Sequence, residues 1–186
     1  ADDANTGDET ATFRVSATGL GDVNVTATAL DDDLGENIAL AANGATMRKI
    51  NAILPTNLID GVHTSSLNYG YTIWTNVPPG TMTLELRNTA SVSRVQLLNF
   101  DWNYRTHQYT LEHSMNGTDW TLFADASTGA HSGWEKWDLT HQQMRFLRLT
   151  GLSNTVNRSV CIAELEISGN VGAPPQDQTI DFPPIA

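Results

Sequence analysis

The chain has 186 residues, 40% of them hydrophobic, and a formal net charge of −11. Most of this charge lies in residues 1–36, which carry nine acids against Arg14 as the single base, whereas residues 37–170 hold ten acids and nine bases. A basic footprint for nucleic acid is therefore absent, and no apolar run is long enough for a membrane span. The length favours one β-domain with flanking segments over two full domains.

Residues 1–36 form an acidic leader that contains a possible hairpin. Residues 12–17 and 23–29 alternate with a period of two and flank a Gly-Leu-Gly-Asp turn signal. This hairpin is either the end of a preceding domain or an extra pair of strands on this one. The acidic run at residues 31–33, with Glu36, either holds a cation or is a solvated stretch of charge.

Almost every segment after the leader predicts a β-strand. The candidates lie at residues 81–86, 94–100, 109–114, 120–124, 134–139, 145–149 and 160–168. Turn-forming residues separate them at the spacing typical of sandwiches and barrels. The predicted class is all-β, with one sandwich over residues 37–170. Residues 171–186 are rich in proline and polar residues, as interdomain linkers are.

The single cysteine, Cys161, lies in an apolar strand-like run. A free cysteine in such a run usually behaves as a small buried hydrophobe. A catalytic thiol would need a base close by in space, and the sequence indicates none.

The turn Asn116-Gly117 defines the two ends of the predicted sandwich. It joins two strands and is a strong hairpin signal, so we take its end of the sandwich as the bottom. If consecutive strands run antiparallel, the segments at 86–93 and 140–144 also lie at the bottom. The segments at 101–107, 126–133 and 153–159 then lie together at the opposite end, the top.

The top carries aromatic, Arg, Asn and His side chains, whereas the bottom is short and bland. Aromatic faces stack on the C–H faces of sugars, and planar polar groups hydrogen-bond sugar hydroxyls. The candidate carbohydrate contacts are Tyr71, Trp74, Trp102, Tyr104, Arg105, His107, His131, Asn157 and Arg158. Several of these have a plainer interpretation. Trp74, like Trp134, lies at a strand edge and is then a core residue, the two histidines are ordinary surface groups, and Asn157-Arg158 is turn chemistry.

The order of four motifs resembles the discoidin or coagulation-factor type C domain, and most closely the family 32 carbohydrate-binding modules. The motifs are Asn-Leu-Ile-Asp-Gly at 57–61, Tyr-x-Leu-x-x-Ser-Met-Asn-Gly-x-x-Trp at 109–120, Arg-Phe-Leu-Arg-Leu at 145–149 and Ala-Glu-Leu-Glu-Ile at 163–167. The resemblance covers residues 37–169. It implies a jelly-roll β-sandwich of the galactose-binding-domain type.

The resemblance also implies a structural calcium ion. The matching positions are Asn57, Asp60, Thr64, Ala163 and Glu164, which would offer carboxylate, hydroxyl and main-chain carbonyl oxygens. Strand parity predicts that Ala163 points inward and that Glu164 points out. The alternative is that Asp60 begins a simple Asx turn and that Glu164 is solvated.

The sequence departs from the galactose-binding members of the resembled family. The His and Arg that commonly hold the sugar there correspond here to the segments at 71–74 and 97–100, which contain neither residue type. The loop at 102–105 could substitute, but the sugar specificity does not carry over.

The function that these features favour is non-catalytic binding of a poly- or oligosaccharide by a secreted or cell-surface module of bacterial type. Such a module would target an attached catalytic domain, such as a glycoside hydrolase or polysaccharide lyase, in the same parent chain. The alternatives are a structural spacer or a protein-adhesion domain. No catalytic motif is present, and the nearly neutral body disfavours a membrane partner.

Overall fold

The computed structural model describes most of the chain after the acidic leader. The described residues are 9–16, 21–29, 35–48, 52–63, 72–74, 80–101, 103–156 and 160–172. The chain divides into two units, Ala1–Gly35 and Glu36–Ala186.

The first unit contains a two-stranded antiparallel hairpin. Strand β1 (Glu9–Val15) pairs with β2 (Val23–Ala29), as the alternation in the sequence predicts. Phe13 pairs with Val25 on one face and Thr12 with Thr26 on the other, where the two hydroxyls lie 3.3 Å apart. The period of two thus sorts apolar and polar side chains onto opposite faces.

The described residues of the second unit form eight antiparallel strands. Their order in the sheet is β4-β5-β10-β6-β9-β7-β8, and β3 pairs with β6. The strands are β3 (Thr46–Arg48), β4 (Ala52–Ile53), β5 (Thr72–Trp74), β6 (Gly80–Asn99), β7 (His107–Ser114), β8 (Thr121–His131), β9 (Trp134–Asn154) and β10 (Val160–Val171). Two short 3-10 turns lie at Ala41–Asn43 and Pro55–Leu58. The predicted all-β class is confirmed.

Strands β6 and β9 are long because each runs through both layers of the sandwich. The first half of β6 pairs with β3 and with the second half of β9, and its second half pairs with β10 and with the first half of β9. The register shifts between Glu85 and Ala90, where β6 bends. The segments at 86–93 and 140–144, which we expected to be bottom loops, are therefore bends inside continuous strands.

The core lies between the layers and is filled by alternate residues of each strand. In β7, Tyr109 and Leu111 are fully buried, while Thr110 between them is partly exposed. Burial of each such side chain contributes about 1.5–3 kcal/mol. Cys161 is buried and free, and burial raises the pKa of its thiol to about 11. Its predicted role as a buried apolar residue is confirmed.

The three loops predicted for the top meet there. His107, at the start of β7, pairs with both His131 at the end of β8 and Asn154 at the end of β9. The main-chain N–H of Thr155 donates to the carbonyl of Thr106 at 3.1 Å. Within the described residues, no helix is long and apolar enough to cross a membrane.

Candidate functional site

The loop after β6 is braced by its own hydrogen bonds and presents the exposed ring of Tyr104. The main-chain N–H groups of Tyr104 and Arg105 donate to the carbonyl of Asp101 at 3.0 and 3.1 Å. Arg105 Nε donates to the Asp101 carboxylate at 3.2 Å, and its guanidinium lies 5.4 Å from the centre of the Phe100 ring. Tyr104 is 73% exposed. These bonds hold the main chain at Tyr104 in a fixed conformation, with the ring exposed.

Two residues of this loop that we predicted as sugar contacts have side chains that are largely or fully covered. The Arg105 side chain is only 11% exposed, because it folds back on Asp101 and Phe100, so it braces the loop. His107 is fully buried, and its Nε2 donates to the Phe100 carbonyl at 3.0 Å. Burial lowers the pKa of His107 to about 4. His107 is therefore neither a contact nor a surface histidine, and both predictions were wrong.

His131 belongs to a polar network at the top of the interior. Its Nδ1 lies 2.7 Å from Oε1 of Glu135, and its Nε2 lies 2.8 Å from the Thr128 carbonyl. The other oxygen of Glu135 accepts from the Tyr109 hydroxyl and, at 3.3 Å, from the Asn99 amide. Burial alone would lower the pKa of His131, but the bonds to Glu135 and Thr128 outweigh it and raise that pKa. Both ring nitrogens are engaged, so a ligand could use only the ring's edge or face.

Trp134 is a surface residue and not the core residue that its strand-edge position indicates. It is 44% exposed, and the His63 ring stands edge-on to it, with ring centres 5.2 Å apart. His63 Nε2 lies 2.7 Å from Glu166, whose other oxygen accepts from Gln96 at 3.1 Å. Sequence reasoning missed this group because His63 and Glu166 are 103 positions apart.

Several predicted contacts fall outside the described residues. These are Tyr71, Trp102, Asn157 and Arg158, together with the proposed metal ligand Thr64. Trp74 lies in β5, but its side chain is not among those described.

The loop after the second 3-10 turn closes over a carboxylate of β10. The main-chain N–H of Gly61 donates to Glu164 Oε1 at 3.2 Å, and Asp60 Oδ1 accepts from the N–H of Val62 at 2.9 Å. Gly61 has φ +77, the left-handed conformation that this tight turn requires. Glu164 is fully buried, and its Oε2 finds no partner among the described residues.

The environment of Glu164 is costly for an uncompensated charge. Burial raises the pKa of Glu164 to about 9, and the nearby carboxylates of Asp60 and Glu166 act in the same direction. Strand parity predicted an outward, solvated or metal-bound side chain. The solvated alternative was wrong, because the Gly61 loop covers the carboxylate. In the part of the chain that the structure describes, no group of three or more His, Cys, Asp or Glu side chains is arranged so that it could hold a metal ion.

The sequence between residues 43 and 165 matches the family model of the F5/8 type C domain. The chain belongs to this family. The antiparallel sandwich and the placement of the four motifs on its strands and loops agree with that assignment.

Among curated proteins, this F5/8 type C domain is similar to BTB/POZ domain-containing protein 9. The rat protein is 28% identical over 126 residues, which cover 66% of this chain and 20% of that protein. The Drosophila melanogaster protein is 30% identical over 112 residues, which cover 59% of this chain and 16% of that protein. The chain thus spans about a fifth or less of the length of these relatives.

Among solved structures, the domain has the fold of family 32 carbohydrate-binding modules. The module of AlyQ in complex with 4,5-unsaturated mannuronic acid is 24% identical with a TM-score of 0.52, over 66% of this chain and 92% of that chain. The sixth such module of a Clostridium perfringens family 89 glycoside hydrolase is 20% identical with a TM-score of 0.55, over 68% of this chain and 92% of that chain.

Proposed function

We propose that this F5/8 type C domain is a non-catalytic carbohydrate-binding module that holds a poly- or oligosaccharide at its top end. The observation that supports this most directly is Tyr104, whose ring is largely exposed on a loop tied down by Asp101 and Arg105. A soluble protein gains nothing in its own core from such a ring, whereas a sugar ring can stack on it.

A rigid loop matters because binding has to overcome the entropy of ordering the groups that contact the ligand. The bonds from Asp101 to the Tyr104–Arg105 main chain and the bond between Thr106 and Thr155 order the loop before a ligand arrives. Trp134, held edge-on by His63, offers a second exposed ring at the same end. Two exposed aromatic rings are suited to stacking on the C–H faces of a glycan.

The wider role that we propose is targeting of a catalytic domain in the same secreted or cell-surface chain. Support comes from the fold relatives, of which one structure contains AlyQ with its module and alginate lyase domains together. Another is a module in complex with GalNAc-beta-1,3-galactose, at 20% identity and a TM-score of 0.51. Attachment to a catalytic domain raises that domain's effective concentration on its substrate.

Affinity gel electrophoresis against plant, algal and animal polysaccharides tests this function. The wild-type chain is expected to be retarded by one polysaccharide class, and Tyr104→Ala to lose about tenfold in affinity, or ~1.4 kcal/mol. Trp102→Ala, two positions before Tyr104 in the same loop of the sequence, is expected to weaken binding as well. Because Tyr104 is so exposed, its removal should leave the melting temperature nearly unchanged.

A matched control is Leu122→Ala, which truncates an exposed apolar residue of β8, 52% accessible, away from the top loops. This variant should bind as the wild type does. Absence of retardation by every polysaccharide would favour the spacer or protein-adhesion role. Equal losses of polysaccharide affinity in Tyr104→Ala and Leu122→Ala would contradict the placement of the site at the top loops.

We further propose that the Asp60–Glu164 site holds a structural calcium ion. The fit rests on the donor set: two carboxylates, one with a buried oxygen that no described residue satisfies, and the main-chain carbonyls of Asn57 and Ala163. Calcium takes six to eight such oxygen ligands, and the hydroxyl of Thr64 is a further candidate. The ion would neutralise the buried charge and fix the Gly61 loop against β10.

Thermal unfolding with calcium and with EDTA tests the site. Calcium is expected to raise the melting temperature of the wild type and not that of Glu164→Gln, because the amide cannot neutralise the ion. The Glu164→Gln variant should be no less stable than the wild type in EDTA, since burial raises the pKa of Glu164 to about 9 and its side chain is then neutral at pH 7, as the amide is. Glu112→Gln serves as the control: it alters a carboxylate of β7 that is bound to Arg148 of β9, and it should keep the calcium response. A wild-type protein indifferent to calcium would refute the proposal.

A further inference from the structure

A cleft of about 320 Å³ lies at the bottom of the sandwich, away from the top loops. It opens between the turn that joins β7 to β8 and the bend of β9. Its walls include His113, Ser114, Asn116, Asp119, Gln142 and Gln143. Its volume is at the lower end of the range of ordinary small-molecule sites.

One wall of the cleft is held rigidly by hydrogen bonds within the turn. Ser114 Oγ accepts from the main-chain N–H groups of Asn116 and Gly117 at 3.2 and 2.9 Å. The Asn116 side chain accepts from the N–H groups of Thr118 and Asp119, both at 2.9 Å, and donates to the Asp119 carboxylate at 2.7 Å. The shape of this wall is therefore set before any ligand binds.

The opposite wall carries hydrogen-bonding groups that are left without partners. Both the nitrogen and the oxygen of the Gln143 side-chain amide are buried and bond to nothing among the described residues, and the same holds for Nδ1 of His113. The neighbouring Gln142 does not bond to the Gln143 amide; its own amide donates to the main-chain carbonyl of Gln143 at 3.1 Å. Buried polar groups without partners are costly and rare in native proteins. Gln143 and His113 both line the cleft, so a ligand held there could supply the missing partners.

The charges around the cleft exclude anions as ligands. Burial lowers the pKa of His113, so its ring is neutral at pH 7. Asp119 is the charged group among the lining residues, and it is negative. An amide that both donates and accepts, beside a neutral imidazole, matches a pair of adjacent hydroxyl groups.

We propose that this cleft is a second ligand site, which takes a small neutral polyhydroxylated molecule of monosaccharide size through the Gln143 amide and the His113 ring. It is separate from the proposed site at the top. The exposed Met115 side chain at the rim offers an apolar surface for the C–H face of such a molecule.

Two-dimensional NMR of the whole chain, titrated with glucose, galactose and mannose, tests the proposal. At least one sugar is expected to shift the Gln143 side-chain amide and the His113 ring signals in a saturable way. Gln143→Met keeps the shape of the side chain but loses both hydrogen-bonding atoms, and should weaken this binding at least tenfold. Glucuronate, which carries a carboxylate, should bind more weakly than glucose.

The failure of this proposal can be told apart from failure of the top site. Tyr104→Ala should leave the response of the Gln143 and His113 signals intact, while Gln143→Met should leave polysaccharide retardation intact. No saturable shift with any of the three sugars would show that the cleft holds only water and would overturn the proposal. Equal affinity of wild type and Gln143→Met, or tighter binding of glucuronate than of glucose, would also overturn it.

Discussion

The two ends of the sandwich differ in how their buried polar side chains are hydrogen-bonded. At the top, Glu135 joins Tyr109, Asn99 and His131 in one network, and the exposed aromatic residues stand outside it. At the bottom, the Gln143 amide has no partner among the described residues, although the turn beside it is densely hydrogen-bonded. The Glu135 network thus supports what lies above it, although Nδ1 of His107 and Oδ1 of Asn99 have no partner among the described residues, whereas at the bottom neither polar atom of the Gln143 amide has one. Satisfied networks are typical of scaffold, and unsatisfied groups are candidates for ligand contact.

The largest effect is expected from His107, the buried histidine at the top of β7. Its pKa is lowered to about 4 by burial, with the bond to Phe100 acting in the opposite direction. Between pH 6.5 and about pH 4 the unfolded chain therefore binds a proton that the folded chain does not. The free energy of unfolding should fall by about 3 kcal/mol as the pH drops through this interval, as measured by urea denaturation at a series of pH values.

Two variants separate His107 from the other groups that titrate in this range. His107→Gln keeps a donor for the Phe100 carbonyl and should flatten the pH dependence. His113→Gln, at the bottom end of the same strand, should change it less, because His113 is only partly buried. A pH profile that both variants leave unchanged would contradict the assignment.

A smaller effect is expected from Glu135→Ala, which dismantles the top network. The variant leaves the buried Tyr109 hydroxyl without an acceptor and frees the His131 ring, at a cost of about 2 kcal/mol in the free energy of unfolding. Glu135→Gln, which keeps one acceptor oxygen, should lose less. Urea denaturation at pH 7 measures both, and a loss below about 0.5 kcal/mol for Glu135→Ala would mean that the network does not stabilise the fold.

The smallest effect belongs to the bottom, where Gln143→Met provides the comparison with Glu135→Ala. Because the Gln143 amide bonds to none of the described residues, the free energy of unfolding of the variant should stay within about 0.5 kcal/mol of the wild type or rise. A loss as large as that of Glu135→Ala would end the distinction between the two ends and would show that Gln143 is a structural residue.

Local sequence patterns predicted much of the fold and part of the site. Alternation at residues 109–114 and 160–168 places β7 and β10 correctly, because side chains of a strand alternate between two faces whatever their partners. The turn at Asn116-Gly117 and antiparallel succession brought the three top loops to one end. The same reasoning divided β6 and β9 in two, because polar residues at a bend resemble a loop in sequence.

Burial of individual polar side chains was not predictable in this way. Arg105, His107 and Glu164 have polar identities and loop or outward positions, yet each is covered by a segment distant in sequence or folded back on its own loop. Nothing local distinguishes Tyr104, which is exposed, from Arg105, which is not, until Asp101 and Phe100 are in place.

The sequence by itself determined the all-β class, the family, the strand positions and the end of the sandwich where aromatic residues gather. These depend on short-range periodicity, turn chemistry and motif order, which the chain carries wherever it folds. The tertiary structure alone decided which top residues face solvent, how Glu164 comes to lie under the Gly61 loop and where the amide of Gln143 loses its partners. Those outcomes depend on contacts between residues up to 103 positions apart, and the cost of burying a polar group is set by what surrounds it in space.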